Sequence, residues 1–374
     1  MAGIYIHIPF CRQKCHYCNF FSIPSVKNKD RFLASLFSEI GMQKDYLNGD
    51  PVQTIYFGGG TPSMLSVAEI GQIIDELVRY QIIDEHAEIT LEANPDDLTL
   101  AKIKELIKTP VNRLSIGVQS FFDDDLKYLN RVHSAREALT SVKSSIDAGF
   151  TNMSIDLIYG IPTLTDENWQ RNLEVFFSLN IPHLSAYALT VEPKTTLDVL
   201  ITRKKIQPVE EELTIRHFKQ LMAAMNEKGY VHYEISNFCR EPFYSKHNRS
   251  YWAGKKYLGL GPSAHSYDGK SRQWNVLNLT AYNQAIENMT IPAEREELST
   301  DQQYNEYILT SLRTMWGTDL YHIEINFGKK YSLHFLKIIE QYLQNRTIFH
   351  RDGKFILTDD GKLLADGIAS ELFV

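Results

Sequence analysis

Six short β-rich runs, each followed by a longer helical pattern, organise the first half of this chain. The runs lie at Ile4–Ile8, Thr54–Phe57, Glu88–Leu91, Arg113–Gly117, Asn152–Leu157 and His183–Ala188. Between them, Ser66–Tyr80 reads as a helix opened by a Ser66/Glu69 capping box, with Ile70, Ile73, Ile74, Leu77 and Val78 on one face. Another helix opens after Thr99 with Ile103, Leu106 and Ile107 on its buried side, and a third covers about Ala135–Ala148 and stops at Gly149. Strand-then-helix order repeated in this way implies parallel strands joined by right-handed crossovers. The expected fold is α/β, a partial (β/α)6 barrel over residues 1–205.

Beyond residue 205 the alternation fades. A helix near Val209–Lys228 precedes an aromatic-rich segment, His232 to Tyr267. Residues 206–297 therefore read as an extension of the barrel and a link. Residues 298–374 read as a small separate domain. Helical patterns cover Asp301–Met315 and Leu333–Gln344, and the strands Thr347–His350 and Lys354–Leu357 flank Asp352-Gly353, a tight hairpin signal. With a last helix near Asp360–Ala369, this tail is winged-helix-like.

The chain has 374 residues, 43% of them hydrophobic, enough for a sizeable core. Its net charge of −7 comes without long runs of one sign, which argues against nucleic acid as the main partner. Four cysteines in such a length make no disulfide framework, so a cytoplasmic setting is expected. No cleavable leader is expected before the first strand, and no apolar run approaches bilayer-spanning length. Attachment to a membrane surface stays compatible with this.

Three of the four cysteines, Cys11, Cys15 and Cys18, sit on one loop directly after the first strand. Structural zinc sites favour CxxC pairs and four protein ligands. Disulfide pairing would leave one thiol over. A saturated iron–sulfur cluster needs a fourth nearby thiolate, and Cys239 is far away in sequence. CxxxCxxC spacing instead suits a four-iron cluster with one iron open to a small molecule; zinc and redox-thiol roles are the alternatives.

Polar residues collect at the strand ends that share a rim with this loop. Strand two runs into Phe57-Gly-Gly-Gly-Thr-Pro62, whose glycines allow close backbone approach to a ligand. Glu92, Gln119, Asp156 and Tyr187 interrupt or end the apolar runs of strands three to six. Buried carboxylates are costly unless paired or bound. Parallel α/β folds bind ligands beyond the C-terminal ends of their strands. Together these residues form a composite candidate site.

Tyr5-Ile-His-Ile-Pro-Phe-Cys11, the glycine loop, Glu92-Ala-Asn-Pro95, Ser115-Ile-Gly-Val-Gln-Ser-Phe121, Arg131-Val-His133 and Asp156-Leu-Ile-Tyr-Gly-Ile-Pro162 resemble the radical S-adenosylmethionine superfamily, in its HemN/HemW branch. The resemblance covers essentially the whole chain. It implies a [4Fe–4S] cluster on Cys11, Cys15 and Cys18. It implies S-adenosylmethionine on Tyr5, Tyr17, Gly59, Gly60, Thr61, Glu92, Gln119, Arg131, Asp156 and Ala188. Arg131 suits a carboxylate, which guanidinium binds in bidentate fashion. In this superfamily an electron from the cluster breaks a carbon–sulfur bond and yields a 5′-deoxyadenosyl radical.

Two departures bear on the branch. The oxygen-independent coproporphyrinogen III oxidases carry a further cysteine where this chain has Phe20, and a longer segment ahead of the first cysteine. His247-Asn-Arg-Ser-Tyr-Trp252 matches instead the HNxxYW motif of the HemW-type heme chaperones, followed by Tyr257-Leu-Gly-Leu-Gly-Pro-Ser-Ala-His265. The resemblance thus implies heme held near His247, Asn248, Tyr251 and Trp252, with Cys239 and His265 as further iron-ligand candidates. It implies heme-accepting partner proteins at the membrane surface and monomer–dimer switching. The expected function is binding and delivery of heme. The alternatives are radical oxidative decarboxylation of coproporphyrinogen III in porphyrin biosynthesis, which would make the chain an enzyme, and a purely structural cluster protein.

Overall fold

The computed structural model describes residues 2–374. Six parallel strands, β1 (Ala2–Ile8), β2 (Val52–Gly59), β3 (Ile83–Ala93), β4 (Arg113–Gln119), β5 (Met153–Tyr159) and β6 (His183–Ala188), pair in chain order. Their register lines Ile6, Phe57, Leu91, Leu114 and Met153 across one face, all buried against the surrounding helices. The opposite face carries Tyr5, Tyr56, Thr90 and Arg113 in one row, and Glu92, Ser115, Ser154 and His183 in the next. Side chains alternate between faces along a strand. The outer face is therefore oily and the inner face polar, although both are covered.

The helices form for local reasons. Ser66 Oγ accepts from the Glu69 N–H at 3.2 Å, and the Glu69 carboxylate accepts from the Ser66 N–H at 2.7 Å. This box opens the helix Val67–Tyr80, which buries Ile70, Ile73, Ile74 and Leu77. Val78, expected on the same face, is 57% exposed, because it lies past the edge of the apolar stripe in the last turn. Ile107 is also part-exposed, at 37%, since its helix ends at Leu106. A second capping box, Ser134/Glu137, opens the helix Ala135–Asp147, and Gly149 follows it at φ 103°.

Sequence reading missed the strands between residues 205 and 298, while the expected hairpin strands near 347–357 are present. β8 (Asn237–Cys239) adds antiparallel to β6, and β7 (Val231–Glu234) pairs antiparallel with β8 at the edge. β9 (Lys256–Leu260) pairs parallel with β1 and carries β10 (His265–Tyr267), β11 (Ser271–Asn275) and β12 (Ala293–Glu297) outward. The result is a single twelve-stranded sheet. These additions are three to five residues long, too short to show a period, and only pairing with β1 and β6 fixes them.

Residues 300–372 have their own hydrophobic core, built on Tyr304, Ile308, Phe335, Ile339 and Phe355. Helices surround the small sheet of β13 (Thr318–Asp319), β14 (Ile348–Arg351) and β15 (Lys354–Leu357). Asp352 and Gly353 turn the β14–β15 hairpin at φ 51° and 78°, the positive pair that a two-residue primed turn requires. No helix among the described residues is long and apolar enough to cross a membrane.

Replacing Ile73 by Ala should cost roughly 2–5 kcal/mol, because it empties a fully enclosed site. Ser66→Ala should cost about 1 kcal/mol, through loss of the cap. Chemical denaturation of each variant beside the parent measures both.

Candidate functional site

A cavity of about 510 Å³ opens at the C-terminal ends of β1–β6. Cys11, Cys15, Cys18, Tyr17, Gly59, Gly60, Thr61, Glu92, Gln119, Arg131, Asp156 and Ala188 all line it. Thus a loop after β1, a glycine turn after β2 and strand-end groups from β3 to β6 meet in one space.

The cysteine loop is clamped from both sides. The Ile23 N–H bonds to the Pro9 carbonyl at 2.7 Å and the Cys11 N–H to the Ile23 carbonyl at 3.1 Å, closing its base. Arg12 pairs with Asp97 at 2.6 Å, and Asp97 accepts from Ser63 Oγ at 2.8 Å. Across the mouth, the Asn130 amide donates to the Lys14 carbonyl at 2.9 Å, and the His16 ring bonds to the Tyr128 carbonyl at 3.0 Å. All three thiols are free and partly exposed. Thr61 Oγ1 lies 3.4 Å from Cys11 Sγ, and Arg131 Nη1 lies 3.4 Å from Cys15 Sγ. Burial pushes the Cys18 thiol up to about 11. Among the described residues no group of three His, Cys, Asp or Glu side chains is placed around a single ion. A cube takes one thiolate per iron, so its ligands do not converge on one atom.

The glycine turn is tight enough to exclude other residues. A Cβ on Gly60 would stand 2.6 Å from the Phe10 carbonyl oxygen, and one on Gly59, at φ 105°, would strike the His7 ring at 2.7 Å. Beside it, Glu92 accepts from the Tyr56 hydroxyl at 2.7 Å and from the Gly59 backbone. Asp156 faces the hydroxyls of Ser115 and Ser185. Arg131 Nη2 donates to Asn94 Oδ1 at 2.7 Å and to the Gly117 carbonyl at 2.8 Å, while its buried Nε has no partner among the described residues. Gln119, at φ 68°, follows an irregularity in the β4–β5 register that turns it toward the cavity.

The floor is charged as well. Glu92 and Asp156 touch the cavity yet lie deep beneath the protein surface. Burial, reinforced by the nearby charge of Asp156, raises Glu92 to about 7, and burial raises Asp156 to about 6. Arg113, 1% exposed at the start of β4, lies on the same inner face and forms no ion pair among the described residues. Sequence reading passed over Arg113 and Asn94. An arginine opening an otherwise apolar strand was the available signal.

Tyr5 and His247 depart from expectation. Tyr5 does not line this cavity; its ring stacks with Tyr56 and His247 inside the barrel, at centroid distances of 6.2 and 6.4 Å. Its place on β1 points it inward beneath the glycine turn, where Gly58 leaves room for it. His247 plugs the opposite end of the barrel. Its Nδ1 bonds to Thr54 Oγ1 at 2.8 Å and its Nε2 to the Tyr251 hydroxyl at 2.8 Å. At 1% exposure, with both ring nitrogens engaged, this imidazole has nothing left for iron. Asn248 sits in the first turn of the helix Lys246–Trp252, where its N–H is capped by Ser245. Tyr251 and Trp252 line a second cavity, of about 930 Å³, together with His265. Cys239 is fully buried in β8 and lines neither cavity, and burial pushes its thiol up to about 12.

Two outcomes follow for the cluster-free protein. Glu92 and Asp156 hold protons in the folded state at pH values where the unfolded chain has lost them. Stability should therefore fall as pH rises from about 4.5 to about 7. Thermal melts across that range should show a shallower decline for Glu92→Gln than for the parent. His247→Ala strands the Thr54 and Tyr251 hydroxyls and should destabilise by roughly 1–3 kcal/mol, read by denaturant titration.

Comparison with known proteins adds an independent line. The Radical SAM superfamily matches residues 5–176. Heme chaperone HemW of Bacillus subtilis is 34% identical, with 98% of each chain covered. Heme chaperone HemW of Mycobacterium tuberculosis is 30% identical over 99% of this chain and 94% of its own. Among solved structures, coproporphyrinogen III oxidase (HemN) from Escherichia coli superposes with a TM-score of 0.86 at 24% identity, covering 100% of this chain and 90% of that one. At that identity the superposition speaks for the fold. Full-length identity to several HemW proteins, on this fold, means that the chain belongs to the HemW branch of the radical SAM superfamily.

Proposed function

We propose that the chain is a radical S-adenosylmethionine heme chaperone, which binds heme as cargo and delivers it to heme-accepting proteins. The observation that carries the cofactor half of this reading is the meeting of three free thiols with the glycine turn, Arg131, Glu92 and Asp156 in one cavity, while Cys239 is buried elsewhere. The cargo half rests on the relatives' names over the full length of the chain.

The residues fit both cofactors. Cys11, Cys15 and Cys18 would hold a [4Fe–4S] cluster and leave one iron open. The buried, unpartnered Nε of Arg131 suits a carboxylate acceptor. Glu92 and Asp156 suit a cationic ammonium, which would draw both toward ionisation. The backbone at Gly59, Gly60 and Thr61 can approach closely, and Tyr17, Gln119 and Ala188 complete the wall. When bound, the cluster supplies one electron to S-adenosylmethionine. The protein's own work is to orient that ligand and keep water from it.

This reading assigns residues 1–205 to the cofactors, residues 206–297 to the barrel extension with the His247–Trp252 motif, and residues 298–374 to a winged-helix-like cover. It sets the protein in the cytoplasm, handing heme on at the membrane surface.

Anaerobic reconstitution tests it. Wild-type protein should take up roughly four irons and show an electron paramagnetic resonance signal that changes on adding S-adenosylmethionine. Cys15→Ala should lose most of that iron, while Cys239→Ala keeps it. The same preparation, given reductant and coproporphyrinogen III, should yield no protoporphyrinogen. Its formation would replace the chaperone reading with the decarboxylase.

A further inference from the structure

We infer that iron porphyrin occupies the second cavity, between the β9–β11 edge of the barrel and the C-terminal helices, with His265 as its iron ligand. This rests on the heme-chaperone reading and gives the cargo a place other than His247. The cavity, about 930 Å³, is within the range of sites for large organic ligands. Its walls are aromatic: Tyr251 and Trp252 on the barrel side, Tyr307 and Phe327 on the other. Flat faces of this kind suit a flat macrocycle.

Three imidazoles line the space, those of His7, His265 and His322. His7 is spent, with Nε2 on the Phe21 carbonyl at 2.8 Å and Nδ1 on the Tyr5 hydroxyl at 3.3 Å. Among the described residues neither His265 nor His322 has a hydrogen-bond partner on its ring. His322 lies flat on Tyr307, centroids 4.1 Å apart, and reads as part of the wall. His265 stands on a strand held from behind. Ser266 Oγ accepts from the Gly259 N–H at 2.9 Å, and a Cβ on Gly259 would come within 2.0 Å of the His265 carbonyl oxygen. Only glycine at 259 lets β10 press this closely on β9, and that contact fixes where the His265 ring emerges. Partial desolvation at the cavity wall and the nearby Arg272 charge lower the pKa of His265, which favours the neutral form that binds iron. Arg272 is paired with Glu306 at 2.6 Å, whereas Lys255, also on the lining, forms no ion pair among the described residues and can meet a propionate.

The test is a hemin titration of wild type, His265→Ala, His322→Ala and His247→Ala, read by the Soret band and electron paramagnetic resonance. His265 is exposed, so its variant should melt like the parent. Wild type should bind saturably. His265→Ala should bind at least about tenfold more weakly and lose the imidazole-ligated spectrum, with free imidazole restoring it. His322→Ala should keep that spectrum, and so should whatever fraction of His247→Ala is folded. Saturable binding by wild type with an unchanged spectrum in His265→Ala would overturn this assignment alone. Absence of saturable binding by wild type would overturn the chaperone reading beneath it.

Discussion

A polar inner face enclosed by an oily outer one is the constraint on which the rest of this molecule depends. The outward side chains of β1–β6 meet helices and drive the sheet to curve around its inner face. The same alternation turns Thr54, Glu92, Arg113, Asp156 and His183 into the lumen, where each must find a partner or a ligand. At the lower end much of this is met internally: His247 binds Thr54 and Tyr251, and His183 bridges Ser154 and Tyr233 at 2.7 Å each, although Arg113 Nε has no partner among the described residues. At the upper end less of it is. Its carboxyl groups are held by burial well above the usual carboxylate range, and Arg131 keeps a buried N–H without an acceptor.

The cysteine loop acts as a divider. Phe20, 63% exposed and two residues past Cys18, lines both cavities, and Tyr5 continues that partition below it. A ligand beside the thiols and a ligand beside His265 would therefore lie on either side of one short segment. That segment is held by bonds to β1, to the Tyr128–Asn130 turn and to the acidic turn after β3. The arrangement gives the two cavities a shared wall without merging them.

Much of the barrel was legible before any coordinates. The six parallel strands announced themselves because each is a continuous apolar run that alternates with a longer helical pattern. The helix Val67–Tyr80 did so because Ser66, Glu69 and the isoleucine spacing are all local signals. The Cys11–Cys18 loop and Gly59–Gly60–Thr61 were visible for the same reason: their chemistry is written in neighbouring residues. Arg113 and Asn94 were not, since what makes them notable is burial and a partner from another strand. The strands β7–β12 were invisible because each is too short to carry a period and takes its shape from the edge it joins.

His247 and His265 show most clearly where local reading stops. Chain order alone determined that an imidazole would stand beside Tyr251 and Trp252, and that another would follow Gly259 and Gly261. Which of the two is already bonded was decided by packing. The turn from the helix Lys246–Trp252 into β9 carries His247 under the barrel, where the hydroxyls of Thr54 and Tyr251 take both of its nitrogens. The close contact of β10 with β9 leaves His265 facing open space. Residue identity sets which chemistry a chain can offer; only three-dimensional neighbours determine whether that chemistry is already used, because hydrogen bonds and burial depend on distance in space and not along the chain.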